Sequence, residues 1–226
     1  MKNSSCKISV IIRSYNSESF IKDAIQSALD QSLSKKLYEI VVIDDGSSDN
    51  TLTILENYKK QLRIIKQPHL GPIKALNIGV KESKENHIII LDSDDTFKRN
   101  ILEKLYFAIK KGKNVKFSYC DYKEAALNKK NKVISLKKNV FNSVAGGIMY
   151  KKEILEEFNG YDENLIFPEY DLLFKVSRKY KGAYIQEPLY VYRRRKNSIT
   201  GDKNIVELGR KQLFSKYNKN LNIRAY

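Results

Sequence analysis

The first hundred residues alternate short apolar runs with amphipathic stretches. Lys7–Ile12 (KISVII) is β-branched, short and bounded by polar residues, the pattern of a buried strand. Tyr38–Ile43 (YEIVVI), the short Arg63–Lys66 and His87–Leu91 (HIIIL) repeat that pattern. Between them the period changes to that of helices. Ile21, Ile25 and Leu29 fall at i, i+4 and i+8, with Ser17 or Ser19 placed to cap the helix. A second helix runs from about Thr51 to Lys60 behind Asp49 or Asn50, and a third covers Ile73–Glu82 after Pro68 and Gly71-Pro72. Beyond residue 100 the rhythm loosens. A helix is predicted over Asn100–Lys111, a strand over Val115–Tyr122, a basic turn over Asn128–Lys132 and a short strand, Ile148–Tyr150, after Gly146-Gly147. Helices over Lys152–Phe158 and Glu169–Tyr180, strands over Ala183–Ile185 and Leu189–Arg194, and a mobile end near Asn218–Tyr226 complete the expectation.

Strands alternating with helices imply right-handed βαβ crossovers, hence an α/β fold with a mostly parallel sheet and helices on both faces. Ligands bind such sheets beyond the carboxyl ends of the strands. Arg13-Ser14-Tyr15-Asn16, Asp44-Asp45-Gly46-Ser47 and Asp92-Ser93-Asp94-Asp95 all follow strands there, and two of the three loops are acidic. No internal repeat or low-complexity linker interrupts the 226 residues, so one domain over 1–226 is expected.

Composition narrows the class. An apolar fraction of 42% is enough for a core, which argues against wholesale disorder. Two cysteines, Cys6 and Cys120, cannot build a disulfide framework or a cysteine zinc site, and fit a reducing compartment. No run approaches 18 apolar residues and the N-terminus has no long apolar core, so neither a membrane span nor a signal peptide is expected. The net charge of +16 is uneven: residues 1–100 hold 15 basic and 13 acidic residues, residues 101–226 hold 27 and 13. Such a half-chain suits an anionic partner such as nucleic acid, phospholipid headgroups or a phosphorylated acceptor, or is a solvated lysine surface.

The carboxylate loops suggest chemistry. Asp92 and Asp94, two apart just past a strand, can both reach a hard divalent cation, for which Mg²⁺ and Mn²⁺ use one or two carboxylates plus substrate phosphates. Asp44-Asp45-Gly46-Ser47 reads either as a turn or as a carboxylate that accepts N–H bonds from a base. No G-x-G-x-x-G or G-x-x-x-x-G-K-[ST] is present, which excludes dinucleotide and P-loop readings.

Together these segments resemble the family 2 glycosyltransferases of GT-A fold, a Rossmann-like sheet with a small antiparallel portion on the acceptor side. The carrying stretches are Ser9–Asn16, Ile40–Thr51, Gly71–Val80, Ile88–Asp95, Gly146–Glu163, Glu169–Val176 and Tyr192–Thr200, in the family's order. The resemblance implies an inverting, metal-dependent transferase. Its residues 1–100 would form the nucleotide-sugar half and 101–226 the acceptor half. Ser14 and Tyr15 would contact the base, with Tyr15 stacking, and Asp44 with Asp45 would bind it. Asp92 would reach the ribose or the metal, Asp94 would hold Mn²⁺ or Mg²⁺ on the diphosphate, and Asp95 would support the loop. Glu169 stands where the family has its Asp general base, with Asp171 orienting it. Lys74, Arg193 and Arg195 would serve the diphosphate, and Gly146-Gly147 would let the acceptor approach the backbone.

Departures accompany the match. Arg13 replaces a common Pro, Pro168 an acidic residue, and Arg195 a His that helps bind metal or diphosphate. An Arg cannot ligate a metal but pairs bidentately with phosphate. His69 and His87 show no paired metal spacing and read as structural. The implied partners are a nucleotide-sugar donor, UDP-linked by preference, and a glycan or polyprenyl-diphosphate-linked acceptor. The expected location is cytoplasmic with peripheral contact at an anionic membrane face. The alternatives are a degenerate sugar-nucleotide-binding module and a basic nucleic-acid-binding protein. The latter lacks any RRM, helix-turn-helix or zinc-finger signature, so no nucleic-acid partner is expected.

Overall fold

The computed structural model describes residues 7–126, 131–195 and 198–218. The first half forms β1 (Ile8–Ser14), α1 (Ile21–Leu29), β2 (Tyr38–Asp44), α2 (Thr51–Glu56), β3 (Arg63–Lys66), α3 (Pro72–Glu82) and β4 (His87–Asp92). Then come β5 (Thr96–Phe97), α4 (Ile101–Lys111), β6 (Val115–Ala126), β7 (Lys132–Ile134), β8 (Ile148–Lys151), α5 (Lys152–Glu157), α6 (Pro168–Lys179), β9 (Lys181–Arg194) and α7 (Lys203–Tyr217). The strands make one sheet in the order β3-β2-β1-β4-β8-β6-β9-β5, with β7 paired to β6.

The four strands of the first half are parallel, as the βαβ pattern predicts. The rest is mixed. β8 runs antiparallel between β4 and β6, β5 is antiparallel to β9, and β6 and β9 pair in parallel along most of their length. Alternation along the buried strands sends Val10, Ile12, Ile40 and Val42 to one face, beneath α1, α2 and α4. It sends Ile11, Val41 and Ile43 to the other, beneath α3, α5 and α6.

Four local expectations change. α2 ends at Glu56, and the Asp49 carboxylate accepts from Thr51 N at 2.9 Å rather than Asn50 capping by its side chain. Neither serine side chain caps α1; the Ser17 carbonyl accepts from the Phe20 and Ile21 amides, while its hydroxyl meets Ser93 Oγ at 2.8 Å. The two strands expected near 183–194 are one, β9, irregular where Asp121 meets Pro188. β5, β7 and α7 are additions that the hydrophobic pattern does not announce. The basic turn falls largely on residues 127–130, and the C-terminal end on 219–226, outside the described residues.

Candidate active site

A cleft of about 700 Å³ opens at the carboxyl ends of β1, β2 and β4, within the range of small-molecule sites. Of the residues expected there, Ser14, Tyr15, Asp45, Asp92, Asp94, Glu169 and Arg195 line it.

The base end is built by three loops. Tyr15 and His69 stack with ring centroids 3.9 Å apart and planes 19° apart, and about half of each side chain is exposed. Asp45 is buried and its carboxylate is fully engaged. Oδ1 accepts from Gln67 Nε2 (2.5 Å) and Leu70 N (2.9 Å); Oδ2 accepts from Gly71 N (2.9 Å) and lies 2.9 Å from His69 Nδ1, which also meets the Asp45 carbonyl at 3.1 Å. Asp45 therefore clasps the 67–71 loop that carries His69. Gly46 makes this approach feasible: its φ is +76°, and a Cβ there would stand 2.7 Å from His69 N. Ser14 Oγ is buried without a hydrogen-bond partner, an open polar point in the wall.

At the centre stands Arg13. Its Nε donates to Asp92 Oδ1 at 2.7 Å and its Nη1 lies 3.2 Å from Glu169 Oε1. Asp92 at the end of β4 and Glu169 in the first turn of α6 are thus one guanidinium apart. Burial works against the Arg13 charge, but Asp92 and Glu169 outweigh it and raise its pKa above the ordinary arginine value. Arg195 Nε lies 2.5 Å from Asp94 Oδ2. Burial lifts the Asp94 carboxyl above the ordinary aspartate range, Asp92 adds to the lift, and Arg195 opposes it. Asp95 is buried behind the loop, accepting from Tyr190 OH (2.5 Å) and Arg193 N (2.8 Å). Burial, followed by Asp94 and Asp92, pushes its carboxyl well up.

Asp92 and Asp94 fit a hard divalent cation: both are carboxylate oxygen donors, two residues apart on one loop, and both line the cleft. Among the described residues no three metal-ligating side chains cluster.

Four expected residues lie elsewhere. Asp44 turns away because side chains alternate at a strand end; its carboxylate accepts from Ser47 Oγ (2.6 Å) and Ser47 N (3.1 Å), fixing the turn. Lys74 is exposed, opposite the buried Ala75-Leu76-Gly79-Val80 face of α3. Asp171 is two residues past Glu169 on a helix, about 200° around it. It is buried against α7, with Lys175 Nζ at 2.6 Å, Lys216 Nζ at 2.8 Å and a hydrogen bond from Tyr217 OH. Arg193 leaves the cleft to pair with Asp23 at 2.9 Å, its guanidinium 5.2 Å from the Phe20 ring centroid. Gly146-Gly147 packs against β9 instead of opening to an acceptor. A Cβ on Gly146 would enter the Tyr190 ring, and the preceding Val144 and Ala145 line the cleft.

Sequence patterning passes over Arg13 and His69 as site residues, and over the apolar and aromatic wall of the cleft. That wall holds Leu165, Ile166, Phe167, Tyr170, Tyr192 and Ile205, the last on α7. Its local signals are the Glu169–Val176 and Tyr192–Thr200 segments, which hold Tyr170 and Tyr192. His69 needs the fold to be found, since its partner Asp45 lies 24 residues earlier.

The sequence profile described as Glycosyl transferase family 2 matches residues 9–159. Minor teichoic acid biosynthesis protein GgaA of Bacillus subtilis is 31% identical over 211 residues, 83% of this chain and 47% of that protein. The poly(ribitol-phosphate) beta-N-acetylglucosaminyltransferase TarS of Staphylococcus aureus is 35% identical over 101 residues, 43% of this chain and 18% of its own. The chain thus spans about half or less of these relatives. TarS 1–349 solved with UDP-GlcNAc superposes with a TM-score of 0.73 at 20% identity, covering 96% of this chain and 68% of that one. Mannosyltransferase PcManGT of Pyrobaculum calidifontis, solved with GDP-Man and Mn²⁺, gives 0.74 at 18% identity, covering 93% and 63%. Both structural likenesses are likenesses of fold, and that fold is GT-A.

Proposed function

The chain belongs to glycosyl transferase family 2, and on that premise we propose that it moves a sugar from a nucleoside-diphosphate donor, UDP-linked by preference, to a hydroxyl of an anionic glycan acceptor. The observation that carries the reading is the Asp92–Arg13–Glu169 chain, which sets a further carboxylate one guanidinium away from the D-x-D loop in one cleft.

Residues 1–100 are read as the donor half and 101–226 as the acceptor half of one unit, the cleft drawing its walls from both. The exposed Tyr15–His69 stack offers a π-face to the base, and Ser14 Oγ a hydrogen bond. Asp45 holds that arrangement in place. Glu169 acts as general base: it takes the proton of the acceptor hydroxyl as the oxygen attacks the anomeric carbon from the face opposite the leaving group, which inverts the centre. Arg13 fixes the direction of the Glu169 carboxylate, and the apolar wall of Leu165, Ile166 and Phe167 keeps water from competing with the acceptor. A divalent cation, Mn²⁺ or Mg²⁺, held by Asp94 with Asp92, would offset the charge that builds on the departing nucleoside diphosphate.

The acceptor class follows from charge. The 27 basic residues after position 100 suit a phosphate-bearing polymer or lipid-linked diphosphate; GgaA is named for minor teichoic acid biosynthesis and TarS for transfer to poly(ribitol-phosphate). The test is a thermal-shift panel of UDP-, GDP- and dTDP-sugars with and without Mn²⁺. A UDP-sugar should give the largest rise in Tm, with cation, and D94N should remove the cation-dependent part. No shift with any nucleotide sugar would refute the reading. A degenerate binding module is the second reading, favoured by the arginine pairing of both D-x-D carboxylates. Nucleotide-sugar binding with no nucleotide release on any acceptor would select it.

A further inference from the structure

Both carboxylates of the D-x-D loop are closed by guanidiniums, but unequally. Arg13 is held at two points, Asp92 and Glu169, and only 21% of its side chain is exposed. Arg195 follows β9, is 39% exposed, and meets Asp94 through Nε. Its guanidinium also lies 5.3 Å from the Phe20 ring centroid, beside the Arg193–Asp23 pair. A dication approaching Asp94 therefore meets a positive charge 2.5 Å from the oxygen it needs. Among the described residues Arg195 thus has one ion pair against the two of Arg13, and its own end of that pair is the more open to solvent, while a diphosphate offers it a bidentate partner of higher charge.

We propose that Arg195 is a donor-operated gate on the cation site: it pairs with Asp94 in the free protein, and it moves to the diphosphate of the incoming nucleotide, leaving Asp94 to the cation. The proposal rests on the transferase reading above. It concerns Arg195 alone, because Arg13 is anchored by a second carboxylate, Glu169, besides Asp92. Phe20 gives the guanidinium a surface to slide along while it changes partner, since cation–π contact is retained near the ring.

Coupling follows by linkage. A residue that repels the cation in the free protein and attracts the nucleotide makes each ligand raise the affinity for the other by the same factor. The test measures Mn²⁺ binding by electron paramagnetic resonance and UDP binding by calorimetry, separately and together, with the Mn²⁺–UDP equilibrium in solution accounted for. The wild-type protein should bind Mn²⁺ weakly alone and about tenfold or more tightly with UDP. R195Q should bind Mn²⁺ alone more tightly than wild type, bind metal-free UDP less tightly, and lose most of the coupling. R195K, which keeps a point charge without the fork, should keep part of it. The Tm of each variant verifies that it is folded. Unchanged or weaker Mn²⁺ binding in R195Q, with UDP and Mn²⁺ still binding the wild type, would overturn the gate and leave the transferase reading standing. Failure of the wild type to bind UDP with or without Mn²⁺ would overturn both.

Discussion

Arg13 is where the charges of the site meet. Removing it leaves Asp92 and Glu169 facing each other without the cation between them. R13Q should therefore lower the unfolding free energy by about 2 kcal/mol, between the exposed and fully buried cases. It should also lower kcat more than it weakens donor binding, because Glu169 loses its orientation; urea unfolding and steady-state kinetics check both. At this scale the sequence shows where the acidic loops fall, because the strands before them are plain. It hides which neighbour points inward. Asp44 and Asp45 are equivalent as letters, yet strand alternation sends one to Ser47 and the other to the His69 loop. Helical phase alone separates Asp171 from Glu169, and that step is available from spacing. Arg13 stands out in the sequence as a departure, but its two partners lie 79 and 156 positions away, on elements that only the fold brings together.

At the scale of elements the informative piece is α7. Its cap, Asp202, accepts from Asn204 N and Ile205 N, and its apolar stripe is thin: Val206, Gly209 and Leu213 are the buried positions. Val206 and Leu213 pack on Phe167, Tyr170 and Phe174, next to Glu169. With a glycine at the centre of the stripe the helical period is too faint to read. That glycine is a contact: a Cβ at Gly209 would stand 2.3 Å from Phe167 Cδ2. G209V should destabilise by about 1–3 kcal/mol in urea unfolding, the cost of overpacking, and should loosen the cleft wall that Phe167 and Ile205 form. Charge pins the same helix, Lys216 meeting Asp162 and Asp171, both at 2.8 Å. Burial pushes the Asp171 carboxyl up, but Lys175, Lys216 and Tyr217 outweigh it and hold it below the ordinary aspartate value. Lys216 above all lowers Asp162. Lowered pKa values stabilise above the unfolded value, about 4, and that stability is lost as pH falls below it. Hydrogen exchange of the α7 amides should therefore accelerate, relative to the central strands, below about pH 4. D171N should remove much of that pH dependence.

At the scale of the molecule, the parallel half of the sheet is legible because each βαβ unit is local. The mixed half is not: β5 has two residues and β7 three, and β8 and β9 find partners far along the chain. The uneven charge gains meaning from this division. The near-neutral half carries Asp45, Asp92 and Asp94, and the basic half carries Glu169 and the apolar wall. Among the described residues no helix is long and apolar enough to cross a membrane. Sedimentation with vesicles should show binding that rises with anionic lipid and falls with salt, each well-placed basic side chain adding about 1 kcal/mol. Equal binding to neutral vesicles would reduce the charge to a solvated surface.

In the proposed reaction Glu169 removes a proton while the D-x-D side of the same cleft receives the nucleotide. The decisive comparison sets wild type against E169Q in two measurements on one UDP-sugar with Mn²⁺: the dissociation constant, and the rate of UDP release with a polyol-phosphate acceptor. Glutamine preserves shape and cannot accept the proton. The dissociation constant should stay within a few-fold of wild type, and UDP release should slow by about 10²–10⁴-fold. UDP release at the wild-type rate in E169Q would contradict the assignment of Glu169 as the base.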